Sequence, residues 1–503
     1  MIRTDRRGMI RNNRHIEGWR KLMKFSGCRM VLFLALLAVW DRPLMAQESG
    51  RLRLEEVIEL ARQNYPAIRV ARAEAGAAEA GSGLARTAYL PRTEIDWQQT
   101  RGTRNNIFGP FFPQAGISPI SGPILDRSSF SESVWGSGGG LLVTWELFDF
   151  GLRRANVNLA DRVRDEARAR IELTEMEAMV AAADRFLQVA VAEQAVRSAT
   201  AAVERMEAFA KVVGVLVGNE LRSGADSSRA DVELATARNR LIQARQQAAL
   251  ARVSLSEAIG LGGQVVEIEA GVLLENRPAR SVVLPAGQLA TKVTGIDTDK
   301  KFNAHPLLRL QRSSMDTVNA RKLILDRSLF PRIGWQTTLF GRGSGARIDG
   351  RRLDNRGYYP DTLNWMTGLT LTFTPSDFFR VRAGRRLEEN NLVAAEARFD
   401  QARQQLKADE ARARAIDEAA EAFSLNAPRQ LEAARLTELR ARKRYEAELS
   451  SITEVAEAQN LLAQAEVEMG IARLSLWRAR LAEAHATGNL APFIALLRKG
   501  GSN

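Results

Sequence analysis

Four long segments of the chain carry apolar residues at every third or fourth position, in a background rich in Ala, Arg and Glu. Such spacing and composition are typical of amphipathic α-helices. At 1.5 Å per residue, the longest would extend for roughly 100 Å. Helices of that length indicate a rod or stalk packed as a coiled coil. The segments are residues 151–217, 226–260, 379–447 and 451–487.

Four shorter windows alternate apolar and polar residues with a period of two, which predicts β-strands. Each has about ten residues, the length of a tilted strand that spans a membrane. The polar segments between paired windows, about 103–134 and 343–364, are predicted to be long loops. The four windows are residues 93–102, 135–147, 331–342 and 365–374.

Tryptophan is concentrated in these windows, which hold Trp97, Trp135, Trp145, Trp335 and Trp365. Because Trp is enriched at membrane–water interfaces, this placement predicts the aromatic girdles of a membrane β-barrel. The alternative is the core of a soluble sheet. Four strands cannot close a barrel, and lipid does not tolerate open sheet edges. Several chains must therefore share one barrel, and three of them would enclose a channel.

The chain also contains an internal repeat. Pro66 and Pro306 each open an amphipathic stretch, and Pro91 and Pro331 follow them at equal distances along the chain. Each half is predicted to contain a leading helix, two strands and two long helices, with the leading helices at 53–89 and 305–329. We assign residues 47–260 to the first repeat, 261–304 to a linking segment, 305–489 to the second repeat and 490–503 to a C-terminal tail.

The first 46 residues have the features of a signal peptide. Four Lys or Arg between residues 20 and 29 precede an apolar run, 30–40, that is too short to span a bilayer. The alternative is an N-terminal membrane anchor. Residues 1–46 contain ten Lys or Arg and three Asp or Glu, so their removal lowers the formal charge from +13 to +6. The only Cys, Cys28, would leave with them. An exported chain without disulfides suits a bacterial envelope protein, and nucleic-acid binding is not expected.

The usual catalytic motifs are absent from the sequence, which has no GxxxxGK[ST] loop, no HExxH helix and no GxSxG elbow. Three His and one Cys leave little for a metal site. His305 precedes Pro306 and is predicted to cap or pack against a helix. We therefore expect no cofactor, no metal site and no enzymatic activity.

Taken in this order, the elements resemble the TolC-like outer-membrane efflux protein family, from about residue 53 to 490. The resemblance rests on the duplicated Pro positions and on residues 144–151, TWELFDFG. It implies a mainly α protein with a membrane β-barrel. In that architecture a homotrimer shares a twelve-stranded barrel, with four strands per chain, continued by a long α-helical coiled-coil tunnel in the periplasm.

The function implied by the resemblance is that of an outer-membrane channel in a tripartite efflux system. Such a channel lies in outer-membrane lipid, contacts a periplasmic adaptor protein and receives small molecules from an inner-membrane pump. It is a passive conduit that opens at its periplasmic helical tip. Two alternatives remain: the outer-membrane component of type I protein secretion, and an envelope coiled-coil protein with a structural or adhesive role.

The two helix–helix turns, 218–226 and 445–454, are expected to form that tip. In a trimer, Glu454 and Glu457 are similar to family residues that narrow the pore entrance, and they would form two acidic rings. Alternatively, they only complement the positive end of a helix. The resemblance implies that Tyr445 and Asp231 close the tip, with Arg222 or Arg229 as their basic partner.

The resemblance also implies adaptor contacts at the tip, and the turn residues predict how its helices are capped. We expect glycines to break the first helix and Asp226 or Ser227 to cap the next. In the second turn, Ser450 or Ser451 is the expected cap, and Glu448 stands where Gly is usual in the family. The expected adaptor-contact residues are Gly218, Leu221, Gly224, Leu449 and Ser450.

Overall fold

The computed structural model describes residues 51–103, 130–275, 278, 302–347, 352–353 and 356–500. The predicted signal peptide, most of the first predicted loop, and parts of the linking segment, of the second loop and of the tail lie outside these residues.

The two halves of the described chain share the order helix, two strands and two long helices, and the first half has one additional helix at its start. The first half consists of α1 (Leu54–Asn64), α2 (Pro66–Arg86), β1 (Arg92–Thr103), β2 (Ser133–Phe148), α3 (Leu152–Gly218) and α4 (Gly224–Ala258). A short helix, α5 (Gly271–Glu275), follows. The second half consists of α6 (Pro306–Arg327), β3 (Arg332–Ser344), β4 (Thr362–Thr372), α7 (Asp377–Glu446) and α8 (Ile452–Thr487), and α9 (Ala491–Gly500) ends the described chain.

The predicted leading helix 53–89 is wrong as a single element. The chain forms two helices there, because Tyr65 precedes a proline and adopts an extended backbone with φ −61° and ψ 123°. Pro66 is the first residue of α2, where its missing N–H has no role in the helix. A single turn of 3₁₀-helix, Thr87–Tyr89, then leads into β1.

The long helices pair as two antiparallel hairpins, α3 with α4 and α7 with α8. Their seam is built from small residues: buried alanines recur every seven residues on α7, at Ala413, Ala420, Ala427 and Ala434. Ala434 packs on Leu462 and Ala465 of α8. This heptad spacing is that of a coiled coil, as predicted, and the methyl groups allow close approach of the two backbones. Within the described residues, no helix is both long and apolar enough to cross a membrane.

The largest buried cluster lies where α1, α8 and α9 meet the middle of α3. Trp477 of α8 donates a hydrogen bond from Nε1 to the carbonyl of Leu273, 3.1 Å away, and its ring lies 6.4 Å from that of Phe493. A parallel bridge between Leu52 and Ile268 fixes the start of the linking segment on the same cluster. The C-terminal tail, for which the sequence suggested no role, therefore completes this core through α9.

The four described strands form one antiparallel sheet in the order β1-β2-β3-β4. Each strand overlaps its predicted window and differs from it by at most three residues at either end. The sheet is therefore open at two edges within one chain: β1 and β4 are each paired on one side only.

His305 caps α6, as predicted. Its Nδ1 accepts a hydrogen bond from the backbone N–H of Leu307 at 3.1 Å, and its Nε2 lies 3.1 Å from the carbonyl oxygen of His485 at the end of α8. The ring is almost fully buried. Burial lowers the pKa of His305 below its ordinary value of 6.5. Repulsion from His485 and Arg309 acts in the same direction, against the hydrogen bond to the His485 carbonyl and attraction from Asp409.

We expect the protein to lose stability as the pH falls from 7.5 through 6.5. In this range the unfolded chain binds a proton at residue 305 before the folded chain does, since the folded pKa is the lower one. The protonated ring also cannot accept the Leu307 hydrogen bond. The His305→Asn variant keeps a capping oxygen and should show a weaker pH dependence. Denaturant midpoints of both proteins at pH 7.5 and 5.5 test this, and equal pH dependences would contradict it.

Candidate functional site: the apolar sheet face and the helical tip

One face of the sheet is apolar across all four strands. Cross-strand pairing places Ile95, Leu141, Leu339 and Trp365 in one row, and Trp145, Trp335 and Leu369 in another. The apolar faces predicted separately for the four strands therefore coincide. Many of these side chains are exposed in the single chain, including Ile95 at 83% and Trp365 at 76%. A contiguous exposed apolar face is typical of a surface that contacts another protein or a membrane.

The other face of the sheet is mostly polar. Charged and amide side chains of β1 alternate with Ile95 and Trp97 and therefore point away from the apolar face. Trp97 has room on the apolar face because β2 has Gly139 opposite it, where an added Cβ would lie 2.7 Å from the indole ring. The residues of the polar face include Glu94, Asp96, Gln98, Thr144, Glu146, Gln336 and Thr370.

Tryptophans lie towards both ends of the apolar face. At the end next to the helices, Trp145 Nε1 donates to the carbonyl of Tyr89 and Trp335 Nε1 donates to Thr367 Oγ1, both at 2.9 Å. At the far end, Trp135 packs 5.4 Å from the ring of Tyr358. Trp135 and Trp145 are ten residues apart on β2. That separation is about 33 Å along the strand, or about 25 Å along the membrane normal at a 40° tilt, which equals the apolar band of membrane barrels.

The two tip turns have the same backbone structure. In the first, the N–H of Glu220 bonds to the carbonyl of Val217 and the N–H of Leu221 to that of Leu216. The second repeats this pattern with Glu448 bonded to Tyr445 and Leu449 bonded to Arg444. Both are Schellman motifs.

Glutamate occupies the left-handed position of both motifs, with φ 60° at Glu220 and 63° at Glu448. This position usually holds Gly, since a side chain there costs about 1 kcal/mol. The prediction that glycines break the first helix is therefore wrong. Gly218 is the last residue of α3 and Gly224 is the first of α4. The duplicated spacing of the two turns is the sequence signal that would have found Glu220.

The caps of the second helix in each hairpin differ in part from those predicted. Ser223, and neither Asp226 nor Ser227, stands at the N-cap of α4, so this prediction is wrong. Ser451 caps α8, and its Oγ accepts from the N–H of Glu454 at 3.4 Å. The predicted alternative, Ser450, instead bonds the carbonyl of Ala441.

Arg222 joins the two turns. Its guanidinium lies 4.6 Å from the centre of the Tyr445 ring and donates a hydrogen bond to the Tyr445 carbonyl at 3.0 Å. Tyr445 is fully buried against Phe209, with ring centres 5.2 Å apart. Burial raises the pKa of the Tyr445 phenol, as does the nearby Asp226 carboxylate, while Arg222 acts in the opposite direction.

The structure does not bring the other two predicted closure residues to Tyr445. Asp231 and Arg229 are exposed on α4. Within the part of the chain that the structure describes, neither has a hydrogen bond or an ion pair with Tyr445. Of the two candidate basic residues, Arg222 is thus the one in contact with Tyr445.

Glu454 and Glu457 lie in the first two turns of α8 and are exposed in the single chain. The neighbouring Ile452 and Val455 are buried, so the two carboxylates lie on the opposite side of the helix. Among the predicted adaptor-contact residues, Leu221 and Leu449 are 56% and 69% exposed, Gly218 and Gly224 are exposed, and Ser450 is half-buried.

The described residues contain no cluster of three or more His, Cys, Asp or Glu with the geometry to hold a metal ion. The site therefore consists of an apolar sheet face at one end of the long helices and two linked turns at the other.

Comparison with known proteins identifies the family. The sequence matches the family described as outer membrane efflux protein over residues 57–261 and 305–489. These ranges cover most of the chain, and the chain belongs to this family. It is accordingly an outer-membrane efflux protein, in agreement with the resemblance, and the family match favours efflux over protein secretion or a purely structural rod.

Solved structures have the same fold. The chain is similar to the outer membrane channel MtrE of Neisseria gonorrhoeae, with a TM-score of 0.67 and 17% identity over 87% of this chain and 89% of that one. The outer membrane channel CmeC of Campylobacter jejuni gives a TM-score of 0.68 and 13% identity over 89% of both chains. The outer membrane protein VceC of Vibrio cholerae gives 0.65 and 16% over 87% and 96%.

A curated relative is Protein CyaE of Bordetella pertussis, 27% identical over 254 residues. The match spans 50% of this chain and 45% of that protein, so less than half of the relative's length is covered.

Replacing Arg222 with Ala should loosen the link between the two turns. The lost hydrogen bond and cation–π contact are together worth about 1.5 kcal/mol, so local opening should become about tenfold more frequent. Hydrogen–deuterium exchange of peptides covering residues 216–226 and 441–452 measures this change. The matched control is Arg229→Ala, which removes an exposed arginine of the same helix. Equal exchange in the two variants would contradict the role of Arg222.

Proposed function

We propose that three copies of this chain form a passive outer-membrane conduit for small molecules. One observation carries the proposal: the four-stranded sheet has a continuous apolar face and two open edges. In a bilayer the unpaired N–H and C=O groups of β1 and β4 need partners, and other copies of the same sheet supply them. Three sheets give a closed barrel wide enough for a lumen, with the polar face inside.

The long hairpins would continue this lumen as a tunnel on the periplasmic side. The proposed partners are a periplasmic adaptor at the tip and an inner-membrane pump that supplies the transported molecules. The efflux family of the chain supports this arrangement. The proposed adaptor contacts are Gly218, Leu221, Gly224, Leu449 and Ser450. The two leucines have exposed apolar side chains against which an adaptor can pack. A passive conduit needs no catalytic residue, so we propose no enzymatic activity.

Two neighbouring residues of β4 test the barrel. Trp365 lies on the apolar face and Met366 on the polar face. Trp365 lies in the row of Leu141, between the levels of Trp135 and Trp145 and so inside the apolar band. In Trp365→Arg, the charge would face lipid there and cost about 2–4 kcal/mol, so membrane assembly should fall. Met366→Arg should assemble normally, because its charge would face water. The readouts are outer-membrane content and the mass of the extracted protein by light scattering. A monodisperse wild-type monomer, or equal loss in both variants, would refute the shared barrel.

At the tip we propose that contact between Arg222 and Tyr445 holds the two hairpins in a closed arrangement. The guanidinium bridges a residue at the end of α7 to the turn before α4, so the turns cannot separate without breaking it. If so, Arg222→Ala should also raise the resting conductance of the trimer in a bilayer, whereas Arg229→Ala should leave it unchanged. Asp231 would contribute only through another copy of the chain.

We further propose that Glu454 and Glu457 line the pore entrance. Their exposure in the single chain and their position on the unburied side of α8 support this. Three-fold symmetry would bring six carboxylates around a narrow aperture, which attracts cations and repels anions.

The Glu454→Gln, Glu457→Gln double variant should therefore lose cation selectivity. The measurement is the reversal potential of single channels under a KCl gradient. Glu257→Gln, an exposed glutamate far from the tip on α4, serves as the control and should keep the wild-type value. An unchanged reversal potential in the double variant would contradict the proposal that Glu454 and Glu457 line the pore entrance.

A further inference from the structure

A cavity lies between three long helices of one chain, next to the buried cluster of the tip, to which its lining residues Met206 and Ala237 belong. It has a volume of about 380 Å³ and is bounded by α3, α4 and α8. Its size is within the range of small-molecule sites in proteins. The residues that line it include Ala195, Ala199 and Ala202 of α3, Ala237 and Ala244 of α4, and Ala463 of α8.

The cavity exists because alanine occupies positions on all three walls. On α3 the three alanines follow each other at four and three residues, so they share one helix face. A methyl group is too short to fill the space at the junction of three helices, and native cores rarely leave such a space empty. The alanines explain the shape of the cavity, but by themselves they do not indicate which ligand it binds.

The polar groups of the cavity indicate what it binds. Gln459 of α8 is 5% exposed, and its side-chain oxygen has no hydrogen-bond partner in the chain. Leaving a buried acceptor unpaired is unfavourable, and such groups are rare in native proteins. Glu233 of α4 also lines the cavity. Within the described chain, its carboxylate has neither a hydrogen bond nor an ion pair. Both groups call for a donor, and the carboxylate favours a cationic one.

The arginines near the cavity already have hydrogen-bond acceptors on α8, and that of Arg240 is a neutral amide. Arg240 of α4 donates to the side-chain oxygen of Asn460 on α8. Arg205 of α3 makes two hydrogen bonds to Glu466 of α8, at 3.2 and 3.0 Å. These contacts join α4 to α8 and α3 to α8, and so hold the three walls of the cavity together. Glu233 and Gln459 thus keep acceptor oxygens that a ligand can use.

We propose that this cavity binds a small amphipathic organic cation, with its ammonium group donating to Glu233 and Gln459 and its apolar part against the alanines. The site is formed by one chain and does not depend on the proposed trimer or channel. A bound molecule contacts both helical hairpins and stabilises their present arrangement.

The experiment uses 4-phenylbutylamine as the probe and 4-phenylbutanol as its uncharged counterpart. Binding to the full-length protein in lipid nanodiscs is measured by calorimetry, with empty nanodiscs subtracted. The Ala199→Phe variant fills the cavity and should abolish saturable binding of both molecules. Ala208→Phe is the matched control, because Ala208 is exposed on the opposite side of the same helix and should leave binding unchanged.

Two polar variants test the recognition itself. Glu233→Gln should weaken binding of the amine about tenfold and leave the alcohol unchanged, since only the charged pair is lost. Gln459→Leu should weaken the binding of both the amine and the alcohol, since both donate a hydrogen bond to its side-chain oxygen. These near-isosteric changes also keep the proposal testable if Ala199→Phe fails to fold. No saturable binding of the amine to the wild type, or equal binding to wild type and Glu233→Gln, would overturn the proposal.

Discussion

The hydrogen-bonding needs of the sheet edges govern much of this architecture. In water, β1 and β4 could leave their outer N–H and C=O groups to solvent, but lipid offers no such partner. One face of the sheet is apolar from Ile95 to Trp365, so this face is suited to contact lipid. Because lipid cannot bond the edge strands, they must pair with further strands. The single chain is thus an incomplete unit: its exposed apolar area is normal for one part of a larger barrel and would be a liability for an isolated monomer.

Small side chains have a comparable influence on the helices. The buried alanines of α7 let α8 approach closely over a long distance, which a seam of larger residues would not allow. Where three helices meet, the same choice of residue leaves a space, and the buried Gln459 faces it without a partner. Arg480 is another exception to the apolar seam: it is 3% exposed and lies 2.6 Å from Asp417 of α7. A buried charge with a specific partner disfavours other registers between the two helices.

Periodicity predicted most elements because strands and helices here follow strong local patterns. The prediction of a single leading helix was wrong at Pro66. The apolar spacing continues on both sides of this position, but the extended backbone of Tyr65 interrupts the helix. At the tip, the sequence identified Glu448 in the place of a usual Gly, but the assumption that glycines end the first helix hid the equivalent Glu220. The pairing of Arg222 with Tyr445 joins residues 223 positions apart. The family resemblance implied a role for Tyr445 with Arg222 or Arg229 as its partner. The sequence could not choose between the two arginines, because that choice depends on how the two hairpins lie side by side.

The left-handed glutamates affect local unfolding at the tip. Each turn is less stable than the same turn with glycine, by about 1 kcal/mol. Local unfolding is most frequent in segments with few buried contacts and strained backbone, and moving parts of proteins are drawn from such segments. The tip turns therefore open more easily than glycine turns of the same form would, and motion can begin there while the alanine seams of the hairpins stay intact.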